Sequence, residues 1–353
     1  MAFIRNLCFF CFISVVITST VTAAVGNGDF SLVTNPGVDD DLDQHILLAQ
    51  ADTGATATKS QGGEKKVAGG YTQAQINEMI NNPLGELWMI WTQNDTIWMD
   101  GDILDDLHED PKRFNVTTIE PVLPFQLTED WKVIFRPVIP IVSIEEPDSI
   151  SIQRPEHLGE GFGLDVDWER ETGLGDIILW NAFTRNDWSK PPKIFGFGVT
   201  AMLPTATDDV LGTEKWSAGP MAVVFHVGEP GGFIVGTVAQ HWWSFAGDDD
   251  REDVNLTNIQ YFDYYRYSDA TNIGFSPNIS ANWEMGNSDV WTVPIGGGFN
   301  HVTKFGPLPV RLGVEVYYHV VKPDAFGPTW QLRLTFIPVV PKPAATKRPM
   351  FGS

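Results

Sequence analysis

Residues 272–284 read NIGFSPNISANWE and keep one alternation over their whole length. Odd positions are apolar and even positions are polar or Gly, so an extended chain would have one apolar and one hydrated face. The apolar face comprises Ile273, Phe275, Pro277, Ile279, Ala281 and Trp283. Strands of globular proteins average about 5–6 residues, whereas this stretch, at roughly 3.3 Å per residue and tilted by about 40°, rises on the order of 30 Å. That rise matches the thickness of a bilayer.

About twelve strand-like runs follow Leu84, and several alternate in the same way. They cover approximately residues 84–92, 114–126, 131–142, 174–184, 193–203, 215–227, 232–244, 257–267, 272–284, 289–301, 309–320 and 329–339. Most of the gaps between them are alternately long and short, as in outer-membrane barrels with both termini in the periplasm; the exceptions are a short gap at residues 285–288 and longer gaps at residues 185–192 and 302–308. The pattern predicts an all-β fold over residues 84–340: a transmembrane antiparallel up-and-down β-barrel of about 12 strands, with a short N-terminal amphipathic helix.

Residues 1–24 are typical of a secretory signal peptide. Arg5 precedes an apolar core, and Ala23 and Ala24 suit the cleavage site. A transmembrane anchor is the alternative, but the apolar run is shorter than the ~20 residues that a spanning helix needs. Cys8 and Cys11 are the two cysteines and lie in this segment, so we expect no disulfide or thiolate site in the exported chain.

Two segments separate the signal peptide from the barrel. Residues 25–70 lack periodicity and are rich in small and polar residues, which indicates a flexible lead segment. In residues 71–83, Ile76 and Ile80 fall on one helical face and Pro83 stops the run, so we expect a short amphipathic helix. This helix could lie on the periplasmic rim, plug the barrel mouth, or only pack against the wall. Residues 341–353 form a C-terminal tail.

The net charge and the sequence motifs argue against several classes of function. The formal charge of −22 argues against a nucleic-acid partner, whose phosphates need a basic surface. The chain contains no HExxH motif and no GxSxG elbow, so we predict no enzyme activity and no cofactor. A Ser-His pair across strands, as in a barrel esterase, is the weakest alternative.

Six ordered stretches resemble one bacterial family. They are NPLGELWMIWTQND (82–95), IEPVLPFQLTEDWKVIFRPVIPIV (119–142), GLGDI (173–177), LPTATDDVLGTEKWSAGP (203–220), AQHWWSFAGDDDREDVN (239–255) and WTVPIGGG (291–298). They resemble the outer-membrane β-barrel group known as the transporter or meta-pathway phenol degradation family, whose members are often mislabelled neuromedin U. The resemblance covers residues 80–340. It implies a twelve-stranded barrel with a transport role, often beside genes for aromatic or hydrocarbon breakdown, and carries over no catalytic residue.

The pattern and the resemblance together favour a Gram-negative outer-membrane channel for passive uptake of small solutes, which the resemblance implies are aromatic or apolar. One alternative is a non-conducting barrel with a structural or ligand-binding role through acidic extracellular loops. Another is a soluble secreted β-sandwich. The expected partners are outer-membrane lipid and lipopolysaccharide, a small-molecule solute, and the barrel-assembly machinery, which would recognise Phe336 or Phe351 near the C-terminus.

This topology places two groups of candidate site residues. Polar positions of the late strands would line the lumen, where they could select solutes or brace the wall: Glu284, Arg311, Glu315, His319 and Arg333. Two outward loops would form an acidic extracellular patch: Asp208, Asp209, Asp248, Asp249 and Asp250. Closely spaced carboxylates suit divalent cations that could bridge to lipopolysaccharide, and solvated loop charge is the alternative.

Overall fold

The computed structural model describes residues 73–153, 163–306 and 308–340. The signal peptide, the lead segment and the C-terminal tail lie outside these residues, so their assignments stay predictions. Within the described residues, no α-helix is long and apolar enough to cross a membrane.

One sheet of 14 strands dominates the structure. The strands are β1 Trp88–Asp100, β2 Lys112–Gln126, β3 Trp131–Gln153, β4 Gly163–Leu174, β5 Ile177–Arg185, β6 Lys193–Leu203, β7 Lys215–Val227, β8 Phe233–Gly247, β9 Asn255–Tyr265, β10 Thr271–Phe275, β11 Asn278–Asn282, β12 Trp291–Phe305, β13 Leu308–Val321 and β14 Gly327–Val340. Helix α1 (Gln73–Ile80) precedes β1, and helix α2 (Asp102–Leu107) follows it. Two 3₁₀ turns, Asp209–Leu211 and Asn287–Val290, lie between strands.

The strands close into an antiparallel barrel with 12 strand positions around its wall, and we call each position a stave. The first and last strands meet along a ladder from Trp88↔Val340 to Asp100↔Gly327. Two staves are interrupted: β4 and β5 both pair with β3, and β10 and β11 both pair with β9. The predicted up-and-down barrel of about 12 strands is therefore confirmed. The first strand lies later in the chain than the predicted 84–92.

The stretch 272–284 forms one of the interrupted staves. Ser276 and Pro277 separate β10 from β11, because proline has no N–H to donate to a ladder. β12 pairs with β10 up to Gly274↔Gly298 and with β11 from Ser280↔Thr292. Residues 293–297 of β12 therefore have no ladder partner on this side, and we call this place the wall gap. The prediction of one continuous strand was wrong here.

The distribution of polarity is the reverse of that in a soluble protein. Val199 and Phe299 on the outer wall are 57% and 50% exposed, whereas Arg311, Glu315 and Arg333 inside are at most 4% exposed. Soluble monomers rarely expose contiguous apolar patches above a few hundred Å². An outer wall of this kind suits contact with lipid, and the interior holds the charges.

The two ends of the barrel differ in their connections. Short turns at residues 127–130, 228–232 and 266–270 lie at the end where the described chain begins and ends. We call this the turn end. Longer connections, including residues 101–111 and 204–214, lie at the opposite end, which we call the loop end.

Helix α1 lies inside the barrel at the turn end. Ile76, Ile80 and Leu84 are at most 3% exposed and join a core cluster with wall residues such as Val223 and Ile337. The short amphipathic helix is confirmed, and of the three placements it takes that of a plug. A second apolar cluster, which includes Leu104, Leu211 and Phe326, lies at the loop end. Polar side chains occupy the lumen between the two clusters.

Candidate functional site

Three charged side chains meet in the middle of the lumen. Arg333 Nε donates to Asp95 Oδ1 at 2.8 Å, and Arg333 Nη1 lies 4.0 Å from Glu315 Oε2. The same Nη1 donates to the carbonyl oxygen of Ser276 at 2.7 Å. We call Asp95, Glu315 and Arg333 the central ion cluster. The break at Ser276 positions it, because a continuous strand would have that carbonyl in its ladder.

Hydroxyl groups surround the Glu315 carboxylate. The Tyr264 hydroxyl hydrogen-bonds Glu315 Oε1, and Ser276 Oγ donates to Oε2 at 3.0 Å. The Tyr317 hydroxyl accepts a hydrogen bond from the Ser276 N–H at 2.9 Å. The interruption in stave β10–β11 is thus held inward by side chains of β9 and β13.

Amide side chains surround Asp95 in the same way. Gln93 Nε2 donates to Asp95 Oδ2 at 2.6 Å, and Gln331 Nε2 donates to Oδ1 at 2.7 Å. His319 Nε2 lies 3.2 Å from Gln331 Oε1. Buried charges that are paired and also hydrogen-bonded can persist in a low-dielectric interior.

Arg311 connects the wall to the plug. Its Nη1 donates to Asn81 Oδ1, just after α1, at 2.9 Å. The guanidinium also lies 5.3 Å from the Trp91 ring centre and 5.8 Å from that of Tyr264, within cation–π distance. Arg311 thus interacts with both sides of the boundary between plug and wall.

A second ion pair was not found from the sequence. Arg136 pairs with Glu120, whose Oε1 also accepts a hydrogen bond from Thr118 Oγ1 at 3.0 Å. The Arg136 guanidinium lies 5.2 Å and 5.5 Å from the ring centres of Trp91 and Trp180. The signal was present, because β2 and β3 alternate and these residues fall on their inward faces.

Two adjoining cavities lie in the lumen. The larger, of ≈100 Å³, is lined by polar groups such as Arg136, Gln240 and Arg333. The smaller, of ≈30 Å³, is mainly apolar and lies against Ile80 of the plug and Arg311. Because about 10–15 Å³ of such space holds one water molecule, the larger cavity has room for several waters.

Polar contacts anchor the plug at several points. Asn77 and Asn272 exchange hydrogen bonds of 3.2 Å and 3.0 Å. Glu78 lies 3.7 Å from the buried guanidinium of Arg266, and Asn82 Nδ2 donates to the Ser189 carbonyl at 2.7 Å. The plug is therefore held by directional contacts in addition to the apolar cluster.

The predicted lumen residues divide into two groups. Arg311, Glu315, His319 and Arg333 have buried side chains inside the barrel. Glu284 does not: β11 ends at Asn282, and Glu284 is exposed in the connection to β12. Its placement is corrected because the break in the stave and the early strand end remove it from the inward face. A role of the other four in solute selection stays a prediction.

The two predicted acidic loops are connected at the loop end. Arg251 Nη2 donates to the carbonyls of Asp209 and Gly212, each at 2.8 Å. Asp208 caps the 3₁₀ turn, since its Oδ1 accepts the Val210 N–H at 3.2 Å.

The acidic side chains of the second loop face outward. Asp248 Oδ1 accepts the Asp250 N–H at 2.8 Å, and Asp248, Asp249 and Asp250 are all exposed. In the described part of the chain, no group of three or more His, Cys, Asp or Glu side chains is arranged to hold a metal ion. Cation bridging to lipopolysaccharide stays a prediction.

Asp176, which the sequence reasoning missed, organises the loop end. Its Oδ1 accepts the N–H groups of Thr205 and Ala206 at 3.0 and 3.2 Å. Its Oδ2 accepts the Thr213 N–H at 2.6 Å and the Thr213 hydroxyl at 2.7 Å. Two of the stretches that carry the family resemblance, GLGDI and LPTATDDVLGT, thus meet through this carboxylate.

Comparisons with known proteins find similar solved structures at low identity and low TM-score. No known protein-family profile matches this chain, and no curated protein matches it. It is similar to an outer-membrane channel from Pseudomonas putida F1, at 16% identity and a TM-score of 0.49, over 73% of this chain and 97% of that one. It is also similar to the CymD monoaromatic hydrocarbon channel, at 11% identity and a TM-score of 0.34 over 76% and 92% of the two chains.

A third similar structure is an enzyme. Outer membrane phospholipase A from Escherichia coli matches at 12% identity and a TM-score of 0.30, over 75% of this chain and 97% of that one. Identities and TM-scores this low carry no functional argument, so the function has to be argued from the residues.

Proposed function

We propose that this protein is an outer-membrane barrel that lets small, mainly apolar solutes cross the outer leaflet and leave through its wall. The observation that carries the proposal is the wall gap. Residues 293–297 lack ladder partners beside Ser276, and Ser276 contacts the interior at Glu315. A lipid-facing wall with such a gap can connect the lumen to the bilayer.

The contents of the lumen support a route of this kind over an open aqueous pore. The plug fills the turn end with apolar side chains, and the polar cavity above it measures only ≈100 Å³. Ions and sugars would have to displace the plug to pass along the barrel axis. An apolar solute that reaches the lumen can instead leave sideways into lipid.

The alternative is a non-conducting barrel with a structural or ligand-binding role. The satisfied hydrogen bonds of Asp95 and Glu315 and the anchored plug favour it, because both brace the wall. Under either function, export by residues 1–24, insertion by the barrel-assembly machinery and contact with lipopolysaccharide stay predictions.

Entry of N-phenyl-1-naphthylamine, a small aromatic probe that fluoresces in lipid, tests the proposal. Cells with an intact lipopolysaccharide leaflet would express the protein or carry an empty vector, and membrane fractionation of the same cells would locate the chain. We expect the chain in the outer membrane and faster probe entry. An outer-membrane chain with entry at the vector rate would favour the structural alternative, and a chain in the soluble fraction would contradict both.

A further inference from the structure

A groove that the proposed route does not use runs along the outer wall of β6–β9 near the turn end. It forms a recess of ≈710 Å³. Two rows of outward side chains, followed across the ladders, run through it, and Asp263 at the end of the first row lies just beyond the residues that line the recess. The row nearer the turn end is Lys193, His226, Val235 and Asp263, and the next row is Phe195, Val224, Thr237 and Tyr261.

Away from the turn end, the groove continues as an apolar trough. The third row places two small residues between two large ones: Phe197, Ala222, Ala239 and Ile259. A trough with aromatic and branched sides and an alanine floor fits a hydrocarbon chain, since each buried CH₂ group gains free energy. Thr237 Oγ1 on the floor has no hydrogen-bond partner among the described residues.

The charged side chains of these rows lie at the turn end of the groove, Lys193 on one side and Asp263 on the other; Asp187, which also lines the recess, is paired with Arg185. Lys193 is exposed on one side beside His226. Asp263 lies on the other side, at the β9 end of its row. Three strand spacings of about 4.8 Å separate the backbones of Lys193 and Asp263 by roughly 14 Å. Side chains that extend from both sides leave room for a small dipolar group between them.

We propose that this groove binds a phospholipid with a phosphoethanolamine headgroup. The phosphate lies at Lys193 and His226, the ammonium donates to Asp263, and one acyl chain fills the trough. Charge complementarity selects this lipid: a phosphoglycerol headgroup has no cation and would leave Asp263 facing a negative charge. The proposal rests on the membrane placement in the proposed function, but not on solute transport.

Native mass spectrometry of the detergent-purified chain tests the site, with equal amounts of phosphatidylethanolamine and phosphatidylglycerol in the micelles. We expect at least several-fold greater retention of phosphatidylethanolamine. Lys193→Glu and Asp263→Lys should each abolish the preference, and the double variant should restore it, because the reversed charges accept the headgroup in the opposite direction. Lys304→Glu is the matched control, an exposed lysine at the same end on β12.

Two results would overturn the lipid site while leaving the barrel in the membrane. They are equal retention of both lipids by the wild type, and a loss in Lys304→Glu as large as in Lys193→Glu. Solubility without detergent is measured in parallel, by fractionating the same cells before any detergent is added. A chain that stays soluble without detergent would overturn the membrane placement, and the lipid site with it.

Discussion

At the scale of single residues, the central ion cluster is the arrangement whose stability depends most on complete pairing. Arg333→Met would leave the carboxylates of Asp95 and Glu315 buried without their cation. Removing one partner of a buried pair costs about 3–5 kcal/mol, so we expect the free energy of unfolding in urea, followed by tryptophan fluorescence in detergent, to fall by that amount.

The exposed pair Arg185–Asp187 provides the control for this measurement. Its side chains are 41% and 63% exposed, so Arg185→Met should cost only about 0–1 kcal/mol. Asp95→Asn added to Arg333→Met should recover part of the loss, because it removes one unpaired charge. Equal losses for Arg333→Met and Arg185→Met would contradict a tightly coupled cluster.

The sequence predicted two of the three members of this cluster. Glu315 and Arg333 follow the clean alternation of β13 and β14, so their inward position could be inferred, as could that of Arg311 outside the cluster. Asp95 was missed because the polar run from Thr92 to Asp95 was read as the end of a strand. β1 continues through this run, so Gln93 and Asp95 face the lumen while Thr92 and Asn94 face outward, and this continuation becomes visible only when the partner strand is known.

At the scale of elements, the plug should respond to a single charge on its packed face. Ile80 is 2% exposed within the apolar cluster, so Ile80→Asp should release the helix. A penalty of about 1.4 kcal/mol shifts an equilibrium tenfold, and a buried charge costs more. In planar bilayers we expect conducting steps to become more than tenfold more frequent.

Met79 provides a matched position on the same helix, since its side chain is only partly buried. Met79→Asp should leave conductance near the wild-type level. If both variants conduct equally, charge near the turn end and not release of the helix would explain the current.

The loop between β6 and β7 depends on Asp176 from the interrupted stave β4–β5. Asp176→Ala removes four acceptor contacts, each worth about 1.5–3 kcal/mol for a charged group. We expect protease cleavage within residues 204–214 to accelerate at least tenfold. Asp208→Ala, which removes one contact to Val210, should accelerate it far less.

Strand existence was predictable from the sequence, and strand interruption was not. An alternation with a period of two residues shows on which face of a strand each residue lies. Pro277 fits the apolar face although it cannot donate to the ladder. The contact between Asp176 and Thr213 joins residues that are distant in the chain, so no local pattern reveals it. The motifs GLGDI and LPTATDDVLGT contain these two residues but do not indicate that the two segments are in contact.

At the scale of the whole molecule, closure and strand number were predictable because loop lengths alternate. The filling of the lumen was not, since it depends on side chains from many strands that meet only in the closed barrel. Under the proposed function, the same closure separates two pathways: ions would follow the barrel axis, which the plug blocks, and apolar solutes would leave through the wall gap.

Gly297→Val tests this separation, because it adds a side chain inside the wall gap. An ideal Cβ at Gly297 lies 3.4 Å from the Gly274 carbonyl oxygen, so the larger valine would fill the space between β10 and β12. We expect entry of N-phenyl-1-naphthylamine into cells to fall several-fold. Ion conductance in the Ile80→Asp background should stay unchanged, because the valine does not touch the axial route.

Gly286→Val is the matched control, since an ideal Cβ at that loop glycine meets nothing within 4 Å. Cells with this variant should take up the probe at the wild-type rate, and ion conductance should match that of the wild type. A Gly297→Val barrel that admits the probe at the full rate would show that apolar solutes do not use the gap. If probe entry instead rose together with ion current in Ile80→Asp, both would share the axis, because release of the helix opens only that path.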